Sequence, residues 1–426
     1  MKHDVIVPYG RRRLRFRLPA HRLMGVLSGP LEGSKGIRKM VSDSLEVSLN
    51  KKKAEAMLKG KKNILIVVPD KTRSAHLKDI LPGLLSRLRS SSGRVTIVVA
   101  TGLHKEHATE EIETLVGKAV AKRYRLVSHN QRAGTFIDLG KTRGGVPIVL
   151  NRLLLSADLI ITIGCVEPHL YAGYSGGAKT IATGLAGERS INVTHGAGFL
   201  DHPRTRIGLV ERNPFQGALW EIIKGLPVEF SVNVVNDPEG KALAVFSGRL
   251  KDVFRRSVDF ARGVFEVGVK APADVVICGV GHPKDINLYQ ASRAVNYVAN
   301  IDRPVLKKGG VLIVVAELND GIGDGLSERR FYKELSDMKS PEDLIRKAKS
   351  RGCVAGAHRA YMVARPLLDY NIVFVSYGRK TFMRGLPFGY FGTIKKSIQF
   401  ADRVTGMNSK IYVIPHTLST IARLCK

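Results

Sequence analysis

Short apolar runs rich in Val and Ile recur along the chain, each followed by polar or Gly-rich residues and then by helix-like sequence. The clearest are Asn63–Val68, Arg94–Ala100, Asp158–Ile163, Asp274–Val280, Gly310–Ala316, Asn371–Ser376 and Lys410–Ile414. Runs of this length read as strands, and their spacing requires crossovers through helices. The pattern therefore predicts an α/β protein with mainly parallel sheets. Charge alternates with apolar residues in Arg11-Arg12-Arg13-Leu14-Arg15-Phe16-Arg17, as it does on an exposed strand with a solvated face. The single tryptophan, Trp220, lies in Gly217-Ala218-Leu219-Trp220-Glu221-Ile222-Ile223, a helical pattern that puts it in a core.

A chain of 426 residues is too long for one ordinary core. Val-Gly-Val-Lys-Ala-Pro, ending at Pro272, precedes a fresh strand and marks a boundary. We expect an amino-terminal α/β domain over 1–265, a carboxy-terminal α/β domain over 266–416, and a short terminal helix over 417–426 that packs back on the first domain. An active site in the cleft between the two halves is the natural arrangement. In open α/β sheets, ligands gather beyond the carboxyl ends of the strands. Beyond the first run comes Pro69-Asp70-Lys71-Thr72-Arg73, beyond the second Thr101-Gly102-Leu103-His104, and beyond the third Gly164-Cys165-Val166-Glu167-Pro168-His169. Three consecutive strand ends thus present an acid and an arginine, a histidine, and a second histidine.

Composition narrows the function classes without choosing one. Lys and Arg number 68 against 37 Asp and Glu, a formal charge of +31 that favours anionic ligands of any size. The surplus is scattered outside the arginine run and Lys51-Lys52-Lys53, so nucleic acid is a weak expectation and a small acidic substrate a better one. The amino terminus carries charge without the apolar stretch of a signal peptide, and no apolar run reaches membrane-spanning length. Cys165, Cys278, Cys353 and Cys425 lie far apart, with no paired spacing for a zinc knuckle or a redox dithiol. A cytoplasmic protein with no membrane association is expected.

The most informative stretch is Val166-Glu167-Pro168-His169-Leu170-Tyr171-Ala172-Gly173-Tyr174-Ser175-Gly176-Gly177-Ala178-Lys179-Thr180. Read on its own, it comes close to a phosphate loop, in which glycines let the backbone approach an anion and a lysine follows. It misses G-x-x-x-x-G-K-[ST] because Ala178 stands where the second glycine belongs, and Val166–Ala172 separate the loop from the strand before it. A phosphate-loop-like nucleotide-binding protein or NTPase, or a basic nucleic-acid-binding protein, is therefore kept as an alternative.

The same stretch resembles the central motif of the nickel-pincer-nucleotide lactate racemases. There E-P-H is followed by aromatic-Ala-Gly-aromatic-Ser-Gly-Gly, a lysine, and later a histidine, here His195 in Thr194-His195-Gly196. Asp70-Lys71-Thr72-Arg73 looks like that family's D-x-T-R motif and Thr101-Gly102-Leu103-His104 like its G-x-H segment. Gly281-His282-Pro283-Lys284-Asp285-Ile286-Asn287-Leu288-Tyr289-Gln290 is similar to its G-x-P-x-D-x-N-x-Y-Q stretch. The resemblance implies an isomerase, a racemase or epimerase of a 2-hydroxy acid working by reversible hydride transfer. The implied cofactor is a nickel-pincer nucleotide, nickel bound to a pyridinium dithio mononucleotide, attached covalently to Lys179 through a thioamide. His195 becomes the nickel ligand, and His104 and His169 the two acid/base residues. Asp70, Lys71, Thr72 and Arg73 would contact the cofactor, with Arg73 also near the substrate. Gln290, Arg293, Tyr289 and His358 would line the substrate. Separate cofactor-biosynthesis proteins are implied as partners.

The chemistry agrees with these residue types. Loss of the carbon-bound hydrogen as hydride avoids a carbanion beside a carboxylate, and imidazole, with a pKa near ~6.5, suits transfer of the hydroxyl proton. By position alone His104 reads as readily as a structural residue, and His195 as a turn that ends a helix. His107 and His282 read as surface or loop residues, and Tyr171 and Tyr174 as packing groups. Two positions depart from the lactate-specific pattern. Arg293 stands where those members carry a lysine, and a fork-shaped guanidinium grips carboxylate differently from a point charge. His358 in Gly356-Ala357-His358-Arg359-Ala360-Tyr361 stands where a tryptophan lines the lactate pocket, which would admit a longer or more polar acid.

Overall fold

The computed structural model describes residues 1–29, 36–89, 93–354, 356–378 and 380–425. Along the chain come a hairpin of β1 (Lys2–Tyr9) and β2 (Arg12–Pro19) and a short β3 (Leu23–Val26). They are followed by β4 (Asn63–Pro69), β5 (Arg94–Ala100), β6 (Arg125–Ser128), β7 (Phe136–Lys141), β8 (Pro147–Asn151) and β9 (Leu159–Cys165). Next are β10 (Pro168–His169), β11 (Gly173–Tyr174), β12 (Val228–Asn236) and β13 (Ala242–Gly248). The remainder supplies β14 (Glu266–Val269), β15 (Ala273–Gly279), β16 (Leu306–Val315), β17 (Asn371–Val375), β18 (Gly389–Phe391), β19 (Ile411–Ile414) and β20 (Ile421–Leu424). The mainly parallel α/β class expected from the apolar runs is what forms, and each of the seven runs is a strand.

The chain divides into two compact units. The first, Leu31–Thr194 with Leu209–Val264, is built on a six-stranded sheet in the order β13-β12-β9-β4-β5-β6. All neighbours are parallel except the antiparallel edge strand β13. Ile64–Val68 of β4 are buried throughout, the mark of a strand covered on both faces. On one face Ile66, Val68, Ile97, Val99, Ile161 and Ile163 pack with Leu45, Leu81 and Leu84 from the helices Ile37–Ser48 and Leu77–Arg87. From β4 the chain winds outward through β5 and β6 on one side and through β9 and β12 on the other. This makes β4 the topological switch point, where such sheets open a crevice beyond their carboxyl ends.

The second unit, Met1–Pro30, His195–Gly208 and Phe265–Lys426, holds an all-parallel sheet in the order β18-β17-β16-β15-β19-β3. Val5, Val7 and Leu18 of the β1–β2 hairpin join Val275, Ile277, Val311, Ile313 and Ile394 in its core. Leu14 and Phe16 pack against that core while Arg13, Arg15 and Arg17 stay exposed, so the arginine run is the solvated strand face its alternation implied.

Three expectations need correction. The first residues do not stay with an amino-terminal domain, because β3 adds to the edge of this sheet beside β19 and satisfies backbone groups there. The terminal segment is not a helix on the first domain. A single 3-10 turn at Thr417–Ser419 leads into β20, whose backbone pairs with β14 of the same unit, with Lys426 outside the described residues. Trp220 is half-buried, edge-on to Phe254 at 5.9 Å, at the margin of its core. Among the described residues no helix is long and apolar enough to cross a membrane.

Candidate active site

The loops beyond β4, β5 and β9 carry the residues singled out in the first unit, and two side-chain pairs link them. Asp70 is 4% exposed, and one of its oxygens accepts from His104 Nδ1 at 2.6 Å. The other accepts from the Thr72 hydroxyl at 2.6 Å and the Thr72 backbone N–H at 3.1 Å. Burial pushes the Asp70 carboxyl up. The hydrogen bond and charge of His104, with Thr72 and Arg73, more than reverse this and bring it down to about 2. An ionised carboxylate can only accept, so the proton of neutral His104 sits on Nδ1 and its Nε2 keeps a free lone pair. The His104 side chain is 62% exposed, open to a ligand. Arg73 and Glu167, both mostly buried, form the second link as a close ion pair. Lys71, expected at the cofactor, forms an exposed pair with Glu111 at 2.7 Å.

His169 has the opposite tautomer. It begins a tight strap in which β10 and β11 pair Pro168 with Tyr174 and His169 with Gly173. The turn between them aims the backbone N–H groups of Tyr171 and Ala172 at His169 Nδ1, at 3.3 and 3.2 Å. Nδ1 therefore accepts, and the neutral ring carries its proton on Nε2. The ring lies edge-on to Tyr171 and stacks with Phe215. Asn213 caps the helix Pro214–Ile222 by accepting from the Phe215 N–H, and donates to the Tyr171 carbonyl at 2.7 Å. Gln216 donates to the Ala172 carbonyl at 2.8 Å. Ser175 donates to the Cys165 carbonyl at 2.7 Å and accepts from the Glu167 N–H at 3.0 Å.

After the strap, Gly176 and Gly177 have φ of +88° and +56°, and a Cβ there would lie 2.8 Å from Val166 and 2.7 Å from Phe254. A side chain would be strained by conformation and by space, so the loop presents bare backbone. Lys179, half-buried, opens the helix Lys179–Ala182 directly behind it. Against Gly176 lies Asn233 of β12, 1% exposed, whose amide Nδ2 has no hydrogen-bond partner among the described residues. A glycine cradle, a buried donor beside it and a lysine amine fit an anionic nucleotide-like group held at Lys179. β9 ends at Cys165 and the strap intervenes, so the strand–loop–helix of a phosphate loop is not formed.

Beneath the His104 loop sits His129, 0% exposed. Asn151 donates to its Nδ1 at 3.0 Å, and Thr101 donates to its carbonyl at 2.9 Å. Gln131 donates to the Gly102 and Ala186 carbonyls, tying that loop to the segment beyond Lys179.

In the second unit His195 stands just before the helix Ala197–Leu200, its ring edge-on to His358 at 5.4 Å. The Gly356 N–H donates to His358 Nδ1 at 3.2 Å. Burial, then the charges of His195 and Arg359, drive the His358 imidazole well below its usual pKa. Tyr289 and Gln290 lie on the helix Leu288–Ala291, capped by the Asn287 side chain. The Arg359 guanidinium stacks 4.0 Å over the Tyr289 ring, and Arg293 donates to the Tyr297 hydroxyl at 3.4 Å. No three His, Cys, Asp or Glu side chains among the described residues form a metal-holding group.

Sequence reasoning gave no role to Glu167, Phe215, Asn233 or His129. Asn213-Pro214 is a readable cap followed by proline at the first helical position. The alternation Val228-Glu229-Phe230-Ser231-Val232-Asn233 is a readable strand.

Two family models match this architecture, the lactate racemase N-terminal domain over residues 9–208 and the lactate racemase C-terminal domain over 269–422. The lactate racemase of Thermoanaerobacterium thermosaccharolyticum is 30% identical over 431 residues, 99% of each chain. The chain belongs to the lactate racemase family. The lactate racemase of Lactiplantibacillus plantarum is 26% identical over 427 residues, 98% of this chain and 99% of that one. Among solved structures, the lactate racemase apoprotein from T. thermosaccharolyticum matches with a TM-score of 0.90 at 29% identity, covering 99% of this chain and 100% of that one. A protein from Thermotoga maritima shares the fold at 19% identity with a TM-score of 0.70. Within the family fold, the Asp70–His104 and Arg73–Glu167 pairs both belong to the switch-point loops of the first unit.

Proposed function

We propose that this member of the lactate racemase family is a racemase or epimerase of a 2-hydroxy acid, with His104 as its acid/base residue and His169, expected as a second one, as a hydrogen-bond donor to the substrate oxygen. The observation that carries the reading is the Asp70–His104 pair, which holds a base beyond β5. His104 offers a lone pair at Nε2 because Asp70 holds its proton at Nδ1, and His169, whose Nδ1 accepts from backbone N–H groups, offers a hydrogen-bond donor at Nε2. A reaction that removes a hydroxyl proton at one stage and returns it at another needs a group that can take up a proton and release it, as a histidine paired with a carboxylate can.

Lys179 would hold a nickel-pincer nucleotide and His195 would ligate its nickel, and the group would supply an electron-poor hydride acceptor for the alcohol carbon. His104 Nε2 receives the hydroxyl proton as the carbon becomes trigonal, and the Asp70 carboxylate stabilises the imidazolium that results. His169 Nε2–H hydrogen-bonds the ketone oxygen, and the His104 imidazolium returns its proton to that oxygen as the carbon is reduced on its opposite face. Each turnover ends with both rings in their starting protonation, so the same steps run in reverse. Arg73, steadied by Glu167, and Arg293 grip the substrate carboxylate, with charge-assisted bonds that persist in the flat 2-keto acid. Gln290, Tyr289 and His358 contact the remainder of the substrate. Arg293 and His358 favour an acid larger or more polar than lactate.

The test uses protein made together with cofactor-assembly proteins. Intact mass should reveal an adduct that Lys179→Ala lacks. C2-deuterated D-lactate, or another 2-deuterated acid from a panel of sugar acids and dicarboxylates, should invert with its label retained. His104→Ala and His169→Ala should abolish inversion and leave the adduct. Absence of the adduct from wild type would refute the cofactor assignment, and washout of deuterium into water would refute hydride transfer.

A further inference from the structure

The second unit contains a clamp that the proposed reaction does not by itself explain. Directly after His195, the short helix Ala197–Leu200 ends at Asp201. The Asp201 carboxylate accepts a short hydrogen bond from the Tyr361 hydroxyl, pairs with Lys349 at 2.9 Å and faces Arg365 at 3.6 Å. Arg365 also donates to the Leu200 carbonyl at 3.1 Å. His358, whose ring meets that of His195, completes the set. Positions 358, 361 and 365 recur at the spacing of one helical face, so a single stripe of the helix Ala357–Leu367 holds the segment at both ends.

The segment is braced internally as well. The Arg206 guanidinium reaches the carbonyls of Leu200, His202 and Thr205 at 2.9 to 3.1 Å. Burial and the nearby Arg365 lower its pKa to about 10, so it remains charged at neutral pH beside two further cations. Asp201 is the acid these cations share. Its removal would turn an attractive cluster into mutual repulsion at the root of the His195 loop. The His358 ring is itself fixed by the Gly356 N–H, and Gly356 has φ +91° with Ser327 Cα only 2.5 Å from where a Cβ would stand.

We infer that Asp201 is a positioning residue for the His195 imidazole, acting through Tyr361, Arg365 and Lys349 to dock the His195–Gly208 segment on the helix Ala357–Leu367. Residues that orient a ligand without touching the metal typically change metal affinity about 10–100-fold when replaced. The inference rests on the reading of His195 as the nickel ligand, and its experiment has one arm independent of that reading.

In apoprotein, Asp201→Asn should raise amide hydrogen exchange within 195–208 about tenfold over the rest of the second unit. Asp201→Glu should restore most of the protection, and Tyr361→Phe should give a smaller change of the same sign. In protein from a cofactor-competent host, Asp201→Asn should keep the Lys179 adduct at wild-type occupancy and release nickel to a chelator at least about tenfold faster. Unchanged exchange in 195–208, or exchange raised uniformly with a lower Tm, would overturn the inference, as would wild-type nickel retention. Wild type without adduct or nickel would overturn the functional reading instead, while the exchange arm still decides whether Asp201 docks the segment.

Discussion

The sharpest consequence of the site concerns Asp70→Asn. The substitution keeps the shape of the side chain and removes its charge. The Asp70 carboxyl is brought from an ordinary value of 3.8 to about 2, chiefly because the bond and charge of His104 outweigh the cost of burial. That difference corresponds to about 2.4 kcal/mol at 1.36 kcal/mol per pKa unit. The His104 side chain is 62% exposed, so water screens the pair and about 1–2 kcal/mol is a fair net value. In the variant the amide can donate to His104 Nδ1, which moves the ring proton to Nε2 and leaves no base facing the substrate. A tautomer error of this kind in a Ser-His-Asp triad costs ~10⁴ in kcat, and loss of one general base costs about 10²–10⁴. We expect kcat for inversion of D-lactate, or of whichever acid proves best, to fall about 10²–10⁴-fold with KM nearly unchanged and the Lys179 adduct intact. Groups that act as a unit are not additive, so Asp70→Asn combined with His104→Ala should be no slower than His104→Ala alone. A loaded Asp70→Asn protein within about threefold of wild-type kcat would refute the tautomer argument.

Other predictions follow from the same geometry. His129 is 0% exposed and its pKa is lowered to about 4, mainly by burial, against about 6.5 when unfolded. Between those values the unfolded chain binds a proton that the folded chain refuses, so stability is intact above pH 6.5 and falls by about 3 kcal/mol on acidification to pH 4. Urea unfolding across that window should show His129→Gln with a shallower pH dependence than wild type, and equal slopes would count against the buried neutral ring. Arg293→Lys replaces a fork with a point charge and should raise KM for the carboxylate substrate about 5–30-fold with little change in kcat, read by steady-state kinetics on holoenzyme. His358→Trp should fill the pocket and shift kcat/KM toward lactate over longer 2-hydroxy acids by about tenfold, and an unchanged preference would remove His358 from the specificity determinants.

How much of this was legible in the sequence depended on how local the determining contacts are. The seven Val- and Ile-rich strands were readable because strands covered on both faces carry an unbroken apolar signal. β12 is readable only by its alternation, because it also lines a buried polar stripe, where Ser231 accepts from Thr162 at 2.9 Å and Asn233 lies against the glycine loop, so its apolar run is interrupted. The return of residues 1–30 to the second unit rests on partners hundreds of positions away. Asp285, expected within a functional stretch, accepts from the Gly10 N–H at 2.6 Å and so pins the turn of the β1–β2 hairpin. No local pattern carries such a pairing.

The histidines make the same point about chemistry. Motif spacing pairs His104 with His169, but two imidazoles of like sequence context can each carry the ring proton on either nitrogen. The choice is made by what reaches each Nδ1. For His104 it is a carboxylate from the neighbouring strand end. For His169 it is the backbone of its own turn, held by Asn213 and Gln216 from a helix some forty residues on. The four residues of Asp70-Lys71-Thr72-Arg73 divide accordingly. Asp70 and Thr72, two apart, share one hydrogen-bonded group with His104, while Arg73 faces Glu167 and Lys71 faces Glu111. A segment that looks in sequence like one cofactor-binding motif is therefore divided in the fold among three partners, His104, Glu167 and Glu111. Substitutions along it should separate into effects on kcat at Asp70, on KM at Arg73, and on neither at Lys71.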